Sequence, residues 1–198
     1  MIIHYIQQGS PEWLALRKGK LTASNAQAIG NGGKGLETLV CETMSALFSS
    51  SSEEGYVSKD MERGKELEAL AVVMYELENS VKTETVGFIQ LDDYVGCSPD
   101  RLVGEDGLLE IKCPKDTVFL RLLLGKDKPD TKHVWQTQMQ MLVSERKWCD
   151  LVYFNPNFKK SLLSFKILPD PIMVESLQLG LSKGKSMIEE ISLQMSIN

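Results

Sequence analysis

An α/β fold with a central mixed β-sheet flanked by helices is what this 198-residue sequence predicts. Three observations lead there. The first third carries apolar residues at helical spacing. The middle switches to short apolar or alternating runs split by turn residues. The last third returns to helix, strand and a closing helix. That mixture is the pattern of helices laid on a sheet with parallel and antiparallel neighbours.

Taken in order, Ser10-Pro11-Glu12 supplies an N-cap, a proline at the first helical position and an acid in the first turn, so a helix runs from there to Arg17. Thr22-Ala23-Ser24-Asn25 starts another. Leu36–Phe48 has helical apolar spacing, and Lys59–Glu78 reads as a long amphipathic helix with Leu67, Leu70, Ala71, Met74 and Leu77 inward. Thr85–Leu91, Tyr94–Val103 and Gly107–Cys113 read as a meander of three strands, divided by Asp92-Asp93 and by Gly104-Glu105-Asp106-Gly107. Helices at about Thr117–Leu124 and Lys132–Ser144, strands at Trp148–Asn155 and Leu162–Ile167, and a helix from about Pro171 to Met195 complete the chain. There is no internal repeat. Ser49 to Gly55 and Gly30 to Gly35 are flexible segments too short to link domains, so residues 1–198 are expected to form a single domain. Trp13, Trp135, Trp148, Tyr153 and Phe154 are assigned to the core.

Composition narrows the function. With 42% hydrophobic and 25% charged residues, the chain has the make-up of a soluble globular protein. No apolar run reaches the roughly 18–20 residues of a membrane span, and the N-terminus lacks the basic and long apolar regions of a secretory signal. A cytoplasmic protein is expected. Cys41, Cys97, Cys113 and Cys149 are far apart, without a C-x-x-C pair, and His4 and His133 are too scattered for a zinc site. The cysteines are expected to be reduced and packed as small hydrophobes. A net charge of −5 argues against a generic nucleic-acid coat. It leaves room for an enzyme that grips DNA through a few placed cations and metal ions.

The chemistry concentrates in Gly96-Cys97-Ser98-Pro99-Asp100 followed by Leu109-Glu110-Ile111-Lys112-Cys113-Pro114. Glu110 and Lys112 are two apart on a strand and leave the same face. A carboxylate pair with Asp100 suits Mg²⁺ or Mn²⁺, which prefer hard oxygen ligands. An adjacent ammonium can orient or deprotonate a water and steady negative charge, as phosphodiester hydrolysis requires. The register matters. If residues 103 and 108 paired across a four-residue loop, Asp100 would face Ile111 and the acids would diverge, so a shared site demands an odd-length connection or a bulge.

Pro99-Asp100, a spacer and Glu110-Ile111-Lys112 match the PD-(D/E)xK nuclease pattern. The words around them narrow the match: Trp13 to Arg17, Leu21 to Ser24, Arg63 to Glu68, Trp135 to Gln138 and Tyr153 to Pro156, all in order. Over about residues 10–160 the chain resembles the lambda exonuclease and YqaJ-type viral recombinase family. The resemblance implies a restriction-endonuclease-like core and a Mg²⁺-dependent 5′→3′ double-strand DNA exonuclease of phage-type recombination. Such an enzyme leaves 3′ single-stranded tails for a single-strand annealing protein. It also implies a ring-shaped trimer around DNA and, for a phage- or prophage-encoded enzyme, the bacterial cytoplasm.

By position, the resemblance makes Asp100, Glu110 and the Ile111 carbonyl metal ligands, with Mn²⁺ able to replace Mg²⁺ and two ions per site. Lys112 acts on the attacking water. Glu68 matches an acid near the second ion, or is a solvated helix-face carboxylate. Of three glutamines at alternate positions, which cannot all face one way on a helix, Gln138 is expected near the water rather than Gln136 or Gln140. Arg17, Ser24 and Ser98 match a pocket for a 5′-phosphate, where a guanidinium bonds in pairs and hydroxyls add donors. Arg17 could otherwise be a plain helix-end cation beside Lys18 and Lys20. Met61 falls where the family has an apolar wedge between terminal base pairs, or is a buried methionine. No iron–sulfur cysteine cluster is expected. The rival functions are a structure-selective or nicking endonuclease of the same fold and a non-catalytic DNA-binding module. The latter would have lost an acid or the lysine, and Asp100, Glu110 and Lys112 are all present.

Overall fold

The structure is a computed structural model and describes residues 1–49 and 59–197. The serine-rich loop from residue 50 onward lies outside the described residues. The elements run β1 (Ile2–His4), α1 (Pro11–Arg17), β2 (Leu21–Thr22), a 3-10 turn (Ala23–Asn25), α2 (Ala26–Asn31), α3 (Gly33–Phe48) and α4 (Lys59–Asn79). Then come β3 (Thr83–Glu84), β4 (Phe88–Gln90), β5 (Val95–Cys97), β6 (Arg101–Val103), β7 (Gly107–Lys112), α5 (Asp116–Leu123), α6 (Thr131–Ser144), β8 (Trp148–Phe154), β9 (Leu162–Ile167) and α7 (Pro171–Ile197).

The α/β class holds, and the strands fall into two mixed sheets. One has the order β1-β4-β5-β2 and the other β3-β6-β7-β8-β9. The expected meander is corrected by this division. The run Tyr94–Val103 is not one strand: it breaks at Ser98-Pro99-Asp100, with β5 in the first sheet and β6 in the second. Proline lacks the N–H that a continuous ladder needs, so a break there is physically apt. Thr85–Leu91 is likewise reduced to β4, and β3, just before it, joins the other sheet. One apolar cluster bridges the two sheets. It takes Ile89, Val95 and Cys97 from the first, Leu102, Leu108 and Cys149 from the second, and side chains of α2, α3, α6 and α7.

Helix α1 starts as the sequence dictates, with Pro11 at its first turn and the Ser10 hydroxyl accepting from Trp13 N at 3.2 Å. On α4 the inward side is turned from the expected one. Ala71, Val72 and Tyr75 are buried, whereas Leu70 and Leu77 are 55% and 70% exposed. The helix packs on the sheet through Ala71, Val72 and Tyr75, which share a cluster with Leu109, Ile111 and Val152. Helix α7 approaches α2 closely because a side chain cannot fit there: a Cβ on Gly180 would lie 2.0 Å from the Ile29 carbonyl oxygen.

Candidate active site

The β6–β7 turn decides whether the acids can meet. Val103 pairs with Gly107 and Arg101 with Leu109, so the connection is three residues long, Gly104 to Asp106. Gly104 takes the left-handed conformation that opens this tight turn. Continuing that register by one residue sets Asp100 across from Glu110 rather than Ile111. Asp100 lies just before β6, not within a strand, and its Oδ2 accepts from Ile111 N at 2.6 Å.

Glu110, only 2% exposed, is surrounded by donors. Its Oε1 accepts from Lys112 Nζ at 2.7 Å and from Gln136 Nε2 at 2.7 Å, and its Oε2 accepts from Gln140 Nε2 at 2.6 Å. Lys112 also donates to Gln136 Oε1 at 3.1 Å. Burial disfavours the Lys112 charge, but the Glu110 and Asp100 carboxylates outweigh it and raise the amine above its usual value. Lys112 is therefore an ammonium here. Asp100 has its carboxyl held well above the ordinary range by burial first, then by the charges of Glu110 and Glu68. Glu68, reaching in from α4, lies 3.7 Å from Arg101.

These groups fit a divalent cation. Among the described residues no three His, Cys, Asp or Glu side chains form a ready-made cluster. Magnesium does not need one, because it commonly takes one or two carboxylates and completes its shell with waters and substrate phosphates. Asp100, just before β6, and Glu110, on β7, supply hard oxygens, and the Ile111 carbonyl lies between Glu110 and Lys112 on β7. A pair of carboxylates that drives one carboxyl towards its protonated form is the kind of site that a cation relieves.

Glutamine 138 is corrected. It is buried on the other side of α6, where Nε2 donates to the Leu168 carbonyl at 2.8 Å and Oε1 accepts from Asp170 N at 2.9 Å. It pins the β9–α7 link. Gln136 and Gln140, one helical turn apart, face β7 instead. The i, i+4 spacing was the signal that could have selected this pair, since two glutamines share the face and Gln138 stands alone opposite.

The second half of the site gathers around Arg17. Its Nη1 donates to Ser98 Oγ at 3.3 Å, and its Nη2 donates to Thr22 Oγ1 at 3.4 Å and Ser24 Oγ at 3.5 Å. The Arg17 Cζ lies 4.3 Å from the Trp13 ring centroid. Among the described residues its partners are hydroxyls and a ring, not a carboxylate. Burial lowers its guanidinium from the usual value without discharging it. Trp13 is corrected too: it is half-exposed, and its Nε1 donates to Ser98 Oγ at 2.9 Å and to Gly87 O at 3.0 Å. Ser98 Oγ thus accepts from both Trp13 and Arg17, which leaves its own O–H free to donate to an incoming anion. Thr22 and Trp13 are pocket members that the sequence reading missed. Trp135 and Trp148 pack partly buried against the core, and Tyr153 and Phe154 are buried. The Met61 side chain lies outside the described residues.

Only Pro99 separates Ser98 from Asp100. Gln8 Nε2 clamps this crossing by donating to Pro99 O at 2.9 Å and Val86 O at 3.0 Å. The two halves therefore stand at a set distance across the junction of the sheets.

A family model, the YqaJ-like viral recombinase domain, matches residues 12–147, more than half of the chain. The chain belongs to this family. Among solved structures, it is similar to an alkaline exonuclease from Laribacter hongkongensis. The identity is 28%, the TM-score is 0.78, and the match covers 94% of this chain and 98% of that one. The same enzyme in complex with dAMP gives a TM-score of 0.80 with 28% identity and the same coverage. A phage-related exonuclease from Haemophilus somnus 129PT, 14% identical over 89% of this chain and 96% of that one, shares the fold at a TM-score of 0.67. A comparison with curated proteins finds no match. Family and neighbours together make this YqaJ-family chain an exonuclease, a hydrolase. Among the described residues, no helix is long and apolar enough to cross a membrane.

Proposed function

We propose that this chain is a Mg²⁺-dependent 5′→3′ exonuclease of phage-type homologous recombination that digests double-stranded DNA and leaves 3′ single-stranded tails. The observation that carries the reading is the Ser98-Pro99-Asp100 crossing, which joins an anion pocket around Arg17 to the Asp100–Glu110–Lys112 centre. The 198 residues act as one exonuclease domain. The enzyme takes 5′-phosphorylated ends, works as a homotrimer and hands its tails to a single-strand annealing protein. It is phage- or prophage-encoded and acts in the bacterial cytoplasm.

Asp100, Glu110 and the Ile111 carbonyl hold the ion, with Mn²⁺ as a substitute and Glu68 beside a second one. When bound, the ion neutralises charge on the phosphodiester and acidifies the attacking water. The protein does the rest. Arg17 with Ser24 and Ser98 receives the terminal 5′-phosphate, whose extra negative charge a fixed guanidinium prefers to an internal diester. Holding that phosphate registers the next phosphodiester over Asp100 and Glu110. The Lys112 ammonium, steadied by Gln136, orients the water and compensates charge that builds on the phosphate. The Laribacter exonuclease binds dAMP, a deoxynucleoside monophosphate and so the product class this reading predicts.

Digestion of end-labelled linear and closed circular duplex with Mg²⁺ tests the reading. Shortening of the linear form alone, from its 5′ ends, is the expected result. Nicking or linearisation of the circle would overturn it in favour of an endonuclease.

A further inference from the structure

Gln136 and Gln140 both bond to Glu110, but only one of them is fully satisfied. Gln136 donates to Glu110 and accepts from Lys112, so both ends of its amide are used. Gln140 is 0% exposed and donates through Nε2 to Glu110 Oε2, yet its Oε1 has no hydrogen-bond partner among the described residues. Turning the amide over would not help. It would bring a carbonyl oxygen to 2.6 Å from a carboxylate oxygen, lone pair against lone pair. A fully buried amide oxygen without a partner costs stability, and an apolar side chain of the same length would remove that cost. The stability of α6 therefore does not account for Gln140. Its contact with Glu110 does.

A carboxylate offers about four acceptor positions. On Glu110, Lys112 and Gln136 occupy those of Oε1, and Gln140 occupies one of Oε2. Without Gln140, Oε2 has no donor among the described residues and the carboxylate can turn about its last bond. We infer that Gln140 is a positioning residue for the cation site: its amide N–H fixes the orientation in which Glu110 presents Oε2. This rests on the proposed metal-dependent function and assigns to Gln140 a part of that site's affinity. Partners of a ligating carboxylate commonly carry about 10- to 100-fold in metal affinity.

The test measures Mn²⁺ binding to the full chain by calorimetry without DNA, with melting of the metal-free protein alongside. Wild type should bind Mn²⁺ and Glu110→Ala should lose that binding. Gln140→Met, which keeps the length and drops the donor, should bind Mn²⁺ about 10- to 100-fold more weakly. Its metal-free chain should still fold, with two opposed changes in stability: the unpaired Gln140 oxygen is gone, and Glu110 Oε2 loses its donor. Wild-type Mn²⁺ affinity in Gln140→Met overturns the inference while leaving the metal site standing. A Gln140→Met chain that fails to fold also overturns it, since the role would then be structural. No Mn²⁺ binding by wild type overturns the metal reading itself, and the role of Gln140 with it.

Discussion

The two charged groups that flank the Ser98–Asp100 crossing are held in opposite ways. Glu110 stands on β7, with strands on both sides and α6 across its face, and its charge is met by three donors, all buried or half-buried. Arg17 stands at the last turn of a short helix that buries none of its residues, and its charge is met by three hydroxyls at 3.3–3.5 Å. The first set of bonds is short and charge-assisted, and the second is long and loose. Short bonds around a buried acid keep it in place whether or not a substrate is present. Long bonds around a half-buried guanidinium are easily exchanged for a phosphate. On the proposed function, the contrast is that of a centre built in advance and a pocket that completes itself on its ligand.

The largest expected effects break the built centre. Glu110→Ala should abolish Mn²⁺ binding and cleavage together, as seen by calorimetry and by digestion of linear duplex. Lys112→Ala should keep Mn²⁺ and DNA binding while slowing cleavage by about 10²-fold or more, the loss expected for a positioned charge-stabilising or proton-transfer group. A wild-type rate in Lys112→Ala would remove the lysine from the chemistry.

Next in size is the pocket. Wild type should strongly prefer 5′-phosphorylated over 5′-hydroxyl duplex ends, and Arg17→Ala should erase most of that preference with Mn²⁺ affinity unchanged. Comparing rates on the two end types separates the halves: if Arg17→Ala retained the full preference, the pocket would be misassigned.

Smaller effects come from groups that support the built side. Gln138→Met should leave the cleavage rate unchanged and lower stability by about 1–3 kcal/mol, because Asp170 N and the Leu168 carbonyl lose their partner. Denaturant unfolding beside a cleavage assay reads both. His133 donates to or accepts from Tyr153 OH at 2.9 Å, and burial, then the Lys112 charge, lowers its imidazole from the usual 6.5 to about 4. A depressed imidazole means that the unfolded chain binds more protons between those values, so stability falls as pH drops from 6.5 to about 4. His133→Gln should flatten that part of the stability–pH curve. An unchanged slope would mean that His133 does not titrate as its surroundings suggest.

Local chemistry made much of this molecule legible in the sequence. Ser10 and Pro11 start α1 by capping and fixed φ, and the apolar spacing of α3, α6 and α7 follows from a helical period that each segment carries by itself. Glu110 and Lys112 share a face because a strand repeats every two residues. Family words in order located Asp100 and the Arg17, Ser24 and Ser98 set, and the structure brings those residues together. Tertiary structure alone decided what depends on a second element. The rotation of α6 about its axis selects Gln136 and Gln140 over Gln138, since β7 lies on one side and the β9–α7 link on the other. The rotation of α4 exposes Leu70 and Leu77, although their hydrophobicity suggested otherwise. The break at Pro99 sends the two halves of one apparently continuous run into different sheets, and Trp13 becomes part of a pocket because Ser98 arrives from 85 residues away. Periodicity along one segment fixes which residues share a face; which face meets which neighbour is a long-range packing choice that no local pattern encodes.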